Sequence, residues 1–239
     1  MTFTNGDTDN GATTKSVKIA PGSVKYHMQT LKTVLNSLAH MLIGLVCILT
    51  LFFAFYRGLP TSMTNIHIAL TVIGYQFLMA QGILSLCPHN AWSAHLTLGH
   101  KKRIHWILQI MGSILAIAGS ALYILNKPVH WNTLHGKYGL VALVFTIASL
   151  FNGVTSLYAF ELRKVIPIPG KLSKLSHICF GIVAYAASSA SLCYGYDKGF
   201  FKMYMDSDVN TYFLMGFTVV LTVVVILNPI ITFVEKLFR

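Results

Sequence analysis

Six long apolar stretches divide the chain, at roughly 34–56, 63–86, 104–126, 134–158, 175–196 and 211–234. Each approaches the run of about 20 apolar residues that a helix needs to cross a bilayer core. The connections between them are short, and several carry Pro, Gly or charge: "RGLPTS", "CPHNAWSAHLTLGHKKR", "NKPVHWNT", "RKVIPIPGKLSK" and "YDKGFFKMYMDSD". The pattern predicts an all-α membrane protein of six transmembrane helices. The first thirty residues differ. They are polar, rich in Gly, Thr and Asn, and lack the apolar core of a cleaved signal peptide. The expectation is a disordered tail over 1–30 and a single membrane domain over 31–239.

Composition agrees. Of 239 residues, 54% are hydrophobic and 10% are charged, where a soluble domain carries about 25% charge. The net charge of +11 raises nucleic acid as a partner, but the placement of the basic residues gives another reason for it. With six spans both termini share a side. That side holds Lys15, Lys18, Lys25, Lys32, Lys101, Lys102, Arg103, Arg163, Lys164, Lys171, Lys174, Lys236 and Arg239, which is 13 of the 18 basic residues. The excess of Lys and Arg marks the cytosolic side, so both termini are expected in the cytosol, with lipid and not nucleic acid as the macroscopic partner. Cys47, Cys87, Cys179 and Cys193 form no CxxC or CxxCH, so neither a redox dithiol nor covalent c-type haem is indicated. Cys47, Cys179 and Cys193 fall in apolar segments and read as packing residues.

The chemistry lies with histidine. Of ten histidines, five fall in spans: His40, His67, His105, His135 and His177. The last four share a place near the start of the helix, in "TNIHIAL", "KKRIHWIL", "NTLHGKYG" and "KLSHICFG". Spans alternate in direction, so His67 and His135 come to one depth, and His105 and His177 to the other. A buried imidazole loses water and needs another partner. Two histidines per site, without nearby Cys or carboxylate, suit haem better than zinc. Zinc takes three or four protein ligands, whereas haem b needs only two axial ones. Gly74, Gly112, Gly139 and Gly181 return to the histidine faces at spacings of four or seven. They are expected to make room for a flat macrocycle, although glycine also favours close packing of membrane helices. One ligand level per leaflet places the irons about 20 Å apart, with apolar side chains between.

This frame resembles the cytochrome b561 family. The stretches "IHWILQ", "LHGKYGL" and "LSHICFGIVAYAASSASL" are similar to its shorter, domain-containing branch, type 2 in particular, over roughly residues 30–235. The resemblance implies two haems b. It places the axial ligands at His67 with His135 on the non-cytosolic side and at His105 with His177 on the cytosolic side. It implies electron transfer from cytosolic ascorbate to monodehydroascorbate radical or ferric iron, and hence an ascorbate-dependent transmembrane reductase. Endoplasmic reticulum or vesicle membrane is the expected location, and a second copy of the chain is a candidate partner. Founding members carry an Arg-containing basic stretch at the end of the second span and a Trp shortly after the fourth-span histidine. Here these places read "GILSLCPHN" and "LHGKYGL", as suits the shorter branch.

Beyond the ligands, Lys101, Lys102 and Arg103, with Lys171 and Lys174, are expected on the cytosolic rim. They act as topology signals and as a landing patch for ascorbate or haem propionates. His40, near the cytosolic start of the first span, is a candidate contact for a propionate or anion. His130, on the opposite rim, is a candidate for the acceptor. No nucleophile–base constellation or paired carboxylates are seen, so no catalytic side chain is assigned. Two other readings remain: a histidine-lined metal or proton transporter without haem, and a non-catalytic haem subunit of a larger redox complex.

Overall fold

The computed structural model describes residues 22–56, 58, 62–158 and 170–238. Six long helices dominate: α1 Val24–Phe55, α2 Met63–Ser85, α3 Leu98–Leu125, α4 Leu134–Leu157, α5 Gly170–Tyr196 and α6 Asp208–Leu237. A short helix, Gly199–Tyr204, precedes α6. There is no strand among the described residues. All six long helices are apolar enough to cross a bilayer, so the chain is an integral multi-pass membrane protein.

Several helices begin earlier than the apolar runs predict, because hydroxyl side chains start them. The Tyr26 N–H donates to the Ser23 hydroxyl, that of His100 to Thr97, and that of Val209 to Ser207. Such caps satisfy N–H groups that a first helical turn leaves without partners. Residues 24–30, expected in a disordered tail, are instead the opening turns of α1. Residues 1–21 of that tail, which include Lys15 and Lys18, lie outside the described residues, as do Arg57, Arg163, Lys164 and Arg239. The 28 residues of α3 are about 42 Å long, against a hydrocarbon core of about 30 Å. Its first turns, which carry the basic run, therefore project beyond the core.

Six antiparallel spans put the start of α1 and the end of α6 on one face, here the terminal face. The bundle is built from two close pairs. α2 runs along α3, and α4 runs along α5, with fewer contacts between the pairs. α1 and α6 close one flank, packing on each other, α1 on α2 and α6 on α5. Their core includes Ile43, Val46, Tyr185, Tyr196, Leu214 and Leu221.

Within α2/α3 the backbones nearly touch. A Cβ on Gly74 would lie 2.7 Å from the Gly112 carbonyl oxygen and 2.9 Å from the Ala116 nitrogen, and one on Gly112 would lie 2.8 Å from the Gly74 oxygen. Backbone atoms cannot swing aside as a side chain does. Gly74→Ala or Gly112→Ala is therefore expected to destabilise the fold by about 1–3 kcal/mol, the usual range for overpacking. Thermal unfolding in detergent would show it, while Gly44→Ala, where no atom lies within 4 Å, should leave the midpoint unchanged.

Candidate functional site

The structure brings the four helix-start histidines into two pairs. His67 on α2 faces His135 on α4 with ring centroids 6.1 Å apart and planes at 88°. His105 on α3 faces His177 on α5 at 6.2 Å and 90°. Each pair bridges the gap between α2/α3 and α4/α5. His67 and His135 lie toward the face opposite the termini, and His105 and His177 toward the terminal face. Measured along α2, the level of His67 and the level of Gly82, which holds His105, are about 20 Å apart.

Every ring is held in the same way. The Nδ1–H of His67 donates to the Gly119 carbonyl at 2.9 Å, and that of His105 to the Gly82 carbonyl at 2.8 Å. The Nδ1–H of His135 donates to the Ser191 carbonyl at 2.8 Å, and that of His177 to the Ser149 carbonyl at 3.0 Å. Within each close pair the helices thus exchange bonds reciprocally. A carbonyl accepts and cannot donate, so Nδ1 carries the proton and Nε2 is left with a lone pair. The two serines also return a bond: the Ser191 hydroxyl donates to the His135 carbonyl at 2.9 Å.

The glycines do something other than the spacing suggested. Gly74 and Gly112 press on each other, and Gly139 and Gly181 lie against Ser191 and Ser149. They draw the helices of a pair together rather than line a slot. The glycines that meet the paired histidine rings are Gly153, where a Cβ would lie 3.1 Å from His177 Cε1, and Gly195, where it would lie 3.4 Å from His135 Nδ1. With Gly82 and Gly119, each histidine has a glycine opposite it on its companion helix.

The donor set fits an iron supplied with its own equatorial ligands. Two imidazoles bound through Nε2 at about 2.0 Å to one metal ion have centroids about 6.3 Å apart, close to both observed values. Among the described residues no three His, Cys, Asp or Glu side chains converge as a metal site, so the chain offers two ligands per pair. Haem b needs two.

The profile of eukaryotic cytochrome b561 matches residues 66–202, a segment that contains all four paired histidines. The chain belongs to the eukaryotic cytochrome b561 family. It is similar to the transmembrane reductase CYB561D2 of Mus musculus, at 29% identity over 210 residues, covering 84% of this chain and 89% of that protein. It is also similar to that of Bos taurus, at 29% over 208 residues with the same coverage. Membership in this haem b family makes the chain an oxidoreductase of transmembrane electron transfer.

On the face opposite the termini, the cytochrome b561 fold opens a cavity down to His67 and His135. Its mouth carries Lys127, His130, Trp131 and Lys198. Trp131 has a left-handed backbone, φ 57°, which is uncommon for a bulky residue. Tyr123 stacks on the His67 ring at 4.8 Å, and Lys127 lies over Tyr123 at 5.7 Å. Lys202 is paired with Asp197 at 2.8 Å and Asp208 at 3.5 Å. The sequence offered His130 alone. Lys127 and Trp131 of the same loop, Tyr123 of α3 and Lys198 after α5 join it only in the folded chain.

On the terminal face, both ring nitrogens of His40 meet protein side chains. Its Nε2–H donates to Asn90 Oδ1 at 2.7 Å, and its Nδ1 accepts from Gln81 Nε2 at 3.1 Å. Asn90 Nδ2 donates to Ser93 Oγ, and that hydroxyl to the Ser85 carbonyl. His40 therefore pins the loop after α2 against α1, with Asn90 and Ser93 fully buried. The basic run is also split. Lys101 is only 8% exposed and lies, like Lys32, within reach of His89. Burial first, then the charges of those two lysines, hold the His89 imidazole below its ordinary value. Lys102 is exposed and lies with Lys174 within reach of the Lys236 charge. Arg103 and Lys171 are also exposed.

Proposed function

We propose that the chain holds two haems b, one on His67 and His135 and one on His105 and His177. It passes single electrons from ascorbate on the cytosolic terminal face to an anionic acceptor on the other, either monodehydroascorbate or ferric iron carried as an anionic chelate. The observation that carries this reading is the pairing itself: two crossed imidazole pairs, each with Nδ1 tied off and Nε2 free, one toward each end of the bundle. The excess of Lys and Arg on the terminal face supports its cytosolic placement. Similarity to the shorter branch favours an endoplasmic reticulum or vesicle membrane.

When bound, haem b supplies a one-electron ferric/ferrous couple. The protein does the rest. The Nδ1–H bonds fix each ring and raise its basicity as a ligand. Lys127, Lys198 and His130 would draw an anion into the far mouth, while Lys102, Arg103, Lys171 and Lys174 would do so for ascorbate. The match to a haem b family favours this reading over a histidine-lined transporter, as does the clustering of the histidines in two facing pairs.

The test is stoichiometry with reducibility. Purified protein is expected to hold two haems b per chain, both reduced by ascorbate. One haem per fully loaded chain, or two that ascorbate leaves ferric, would sink the reading. Charge gives a second expectation. Lys127→Glu with Lys198→Glu should slow electron delivery to an anionic ferric chelate more than to a neutral acceptor, and added salt should erode the difference. Equal slowing for both acceptors would deny the lysines a steering role.

A further inference from the structure

Midway between the two histidine levels, one aromatic side chain packs against all four histidine-bearing helices. Tyr75 of α2 packs in a single buried cluster with Met79, Ala116, Ala142 and Ala187, which brings together α2, α3, α4 and α5. Tyr75 is 6% exposed. It lies about two turns beyond His67, and about two turns before Gly82, whose carbonyl holds His105. It also lines the cavity that opens to His67 and His135. The three alanines are short, so Tyr75 is the conjugated group of that cluster.

Tyr75 and its neighbour Gln76 both bond across to the other helix pair. The phenol hydroxyl is 3.1 Å from Thr146 Oγ1 on α4. The next residue, Gln76, donates to Ser189 Oγ on α5 at 3.2 Å and accepts from the Tyr185 hydroxyl at 3.3 Å. Successive residues of an α-helix point about 100° apart, yet here both reach across to the other helix pair. They lie in a π-helical stretch, Val72–Met79, a widened turn that is frequent at functional sites.

We propose that Tyr75 is the bridge through which the electron crosses between the two histidine-pair sites, as a fixed conjugated ring and not as a redox station. The proposal rests on the two-haem reading above. Tunnelling weakens steeply with the gap between conjugated systems, and a packed aromatic ring transmits better than aliphatic contacts. One electron leaves the reduced site and one arrives at the oxidised site, while Tyr75 begins and ends neutral. A radical relay would require the phenol to lose its proton as it is oxidised. The hydroxyl partner of Tyr75 is that of Thr146, which is not a base, so the proton stays.

The test uses full-length protein with both haems and compares Tyr75→Phe, Tyr75→Met and Tyr75→Leu. Three quantities are read: haem per chain, both midpoint potentials, and the rate of electron transfer between the haems after pulsed reduction of one. Phe keeps the ring and should stay close to wild type. Met and Leu remove it and should slow transfer by an order of magnitude, with potentials unchanged. If Leu loses haem through the cavity it leaves, Met, which better fills the space, decides against Phe. Transfer as fast in Met or Leu as in wild type would overturn the bridge. Phe as slow as Leu would overturn the fixed ring in favour of a radical. Fewer than two haems in the wild type would instead defeat the parent reading.

Discussion

His105→Ala and His177→Ala are each expected to halve the haem content and to remove the same haem. His67→Ala and His135→Ala should remove the other. The size of the effect follows from the ligand count. Each pair supplies two imidazoles, and no Cys, Asp or Glu among the described residues completes a metal site with either. A lost ring therefore has no understudy. Independence follows from the separation of the levels by about 20 Å and from the Nδ1 bonds, which tie His67 to α3 and His135 to α5 through local carbonyls. Haem-specific difference spectra of the four variants would show the assignment. Loss of one common haem from His67→Ala and His105→Ala would contradict the pairing.

Gly153→Leu is expected to abolish the His105/His177 haem without touching a ligand, and Gly195→Leu to abolish the other. At Gly153 even a Cβ would sit 3.1 Å from His177 Cε1, and at Gly195 it would sit 3.4 Å from His135 Nδ1. A leucine adds three further carbons against a ring that an Nδ1 bond already fixes. The ring must break that bond or swing away from its facing histidine. Alanine grades the effect. Gly195→Ala makes an ordinary contact and should keep its haem, whereas Gly153→Ala forces a shift of a few tenths of an ångström and should weaken binding. Haem retention during dilution measures both. Retention of both haems in the two leucine variants would mean that the rings have more freedom than the glycine contacts allow.

The six spans were legible because lipid demands long uninterrupted apolar runs, and the run in α6 is long enough to read through Pro229. Helix ends were less so. Ser23 and Thr97 lie in polar surroundings, where hydropathy falls while the helix, started by a hydroxyl, already runs. The histidine pairs were legible because four helix-start histidines on alternating spans can meet only as they do. What holds them was not. A carbonyl acceptor such as that of Gly119 or Gly82 has no side-chain signature. It emerges from the register of two antiparallel helices, in which Gly195 falls opposite His135 and Gly153 opposite His177. The partners of His40, Asn90 and Gln81, were not legible because they are brought to it by a loop fold that no periodicity encodes. Tyr75 was hidden by the π-helical stretch, which changes the face on which α2 presents it.

The most direct test of a path across the membrane uses sealed vesicles containing the protein with both haems, ascorbate trapped inside, and an impermeant ferric chelate outside. The external chelate is expected to be reduced. The reduction should disappear in His67→Ala and in His105→Ala alike, because each removes one of two stations in series. No external reduction by a protein whose two haems are both loaded, or unchanged reduction in either variant, would contradict electron transfer through the two sites.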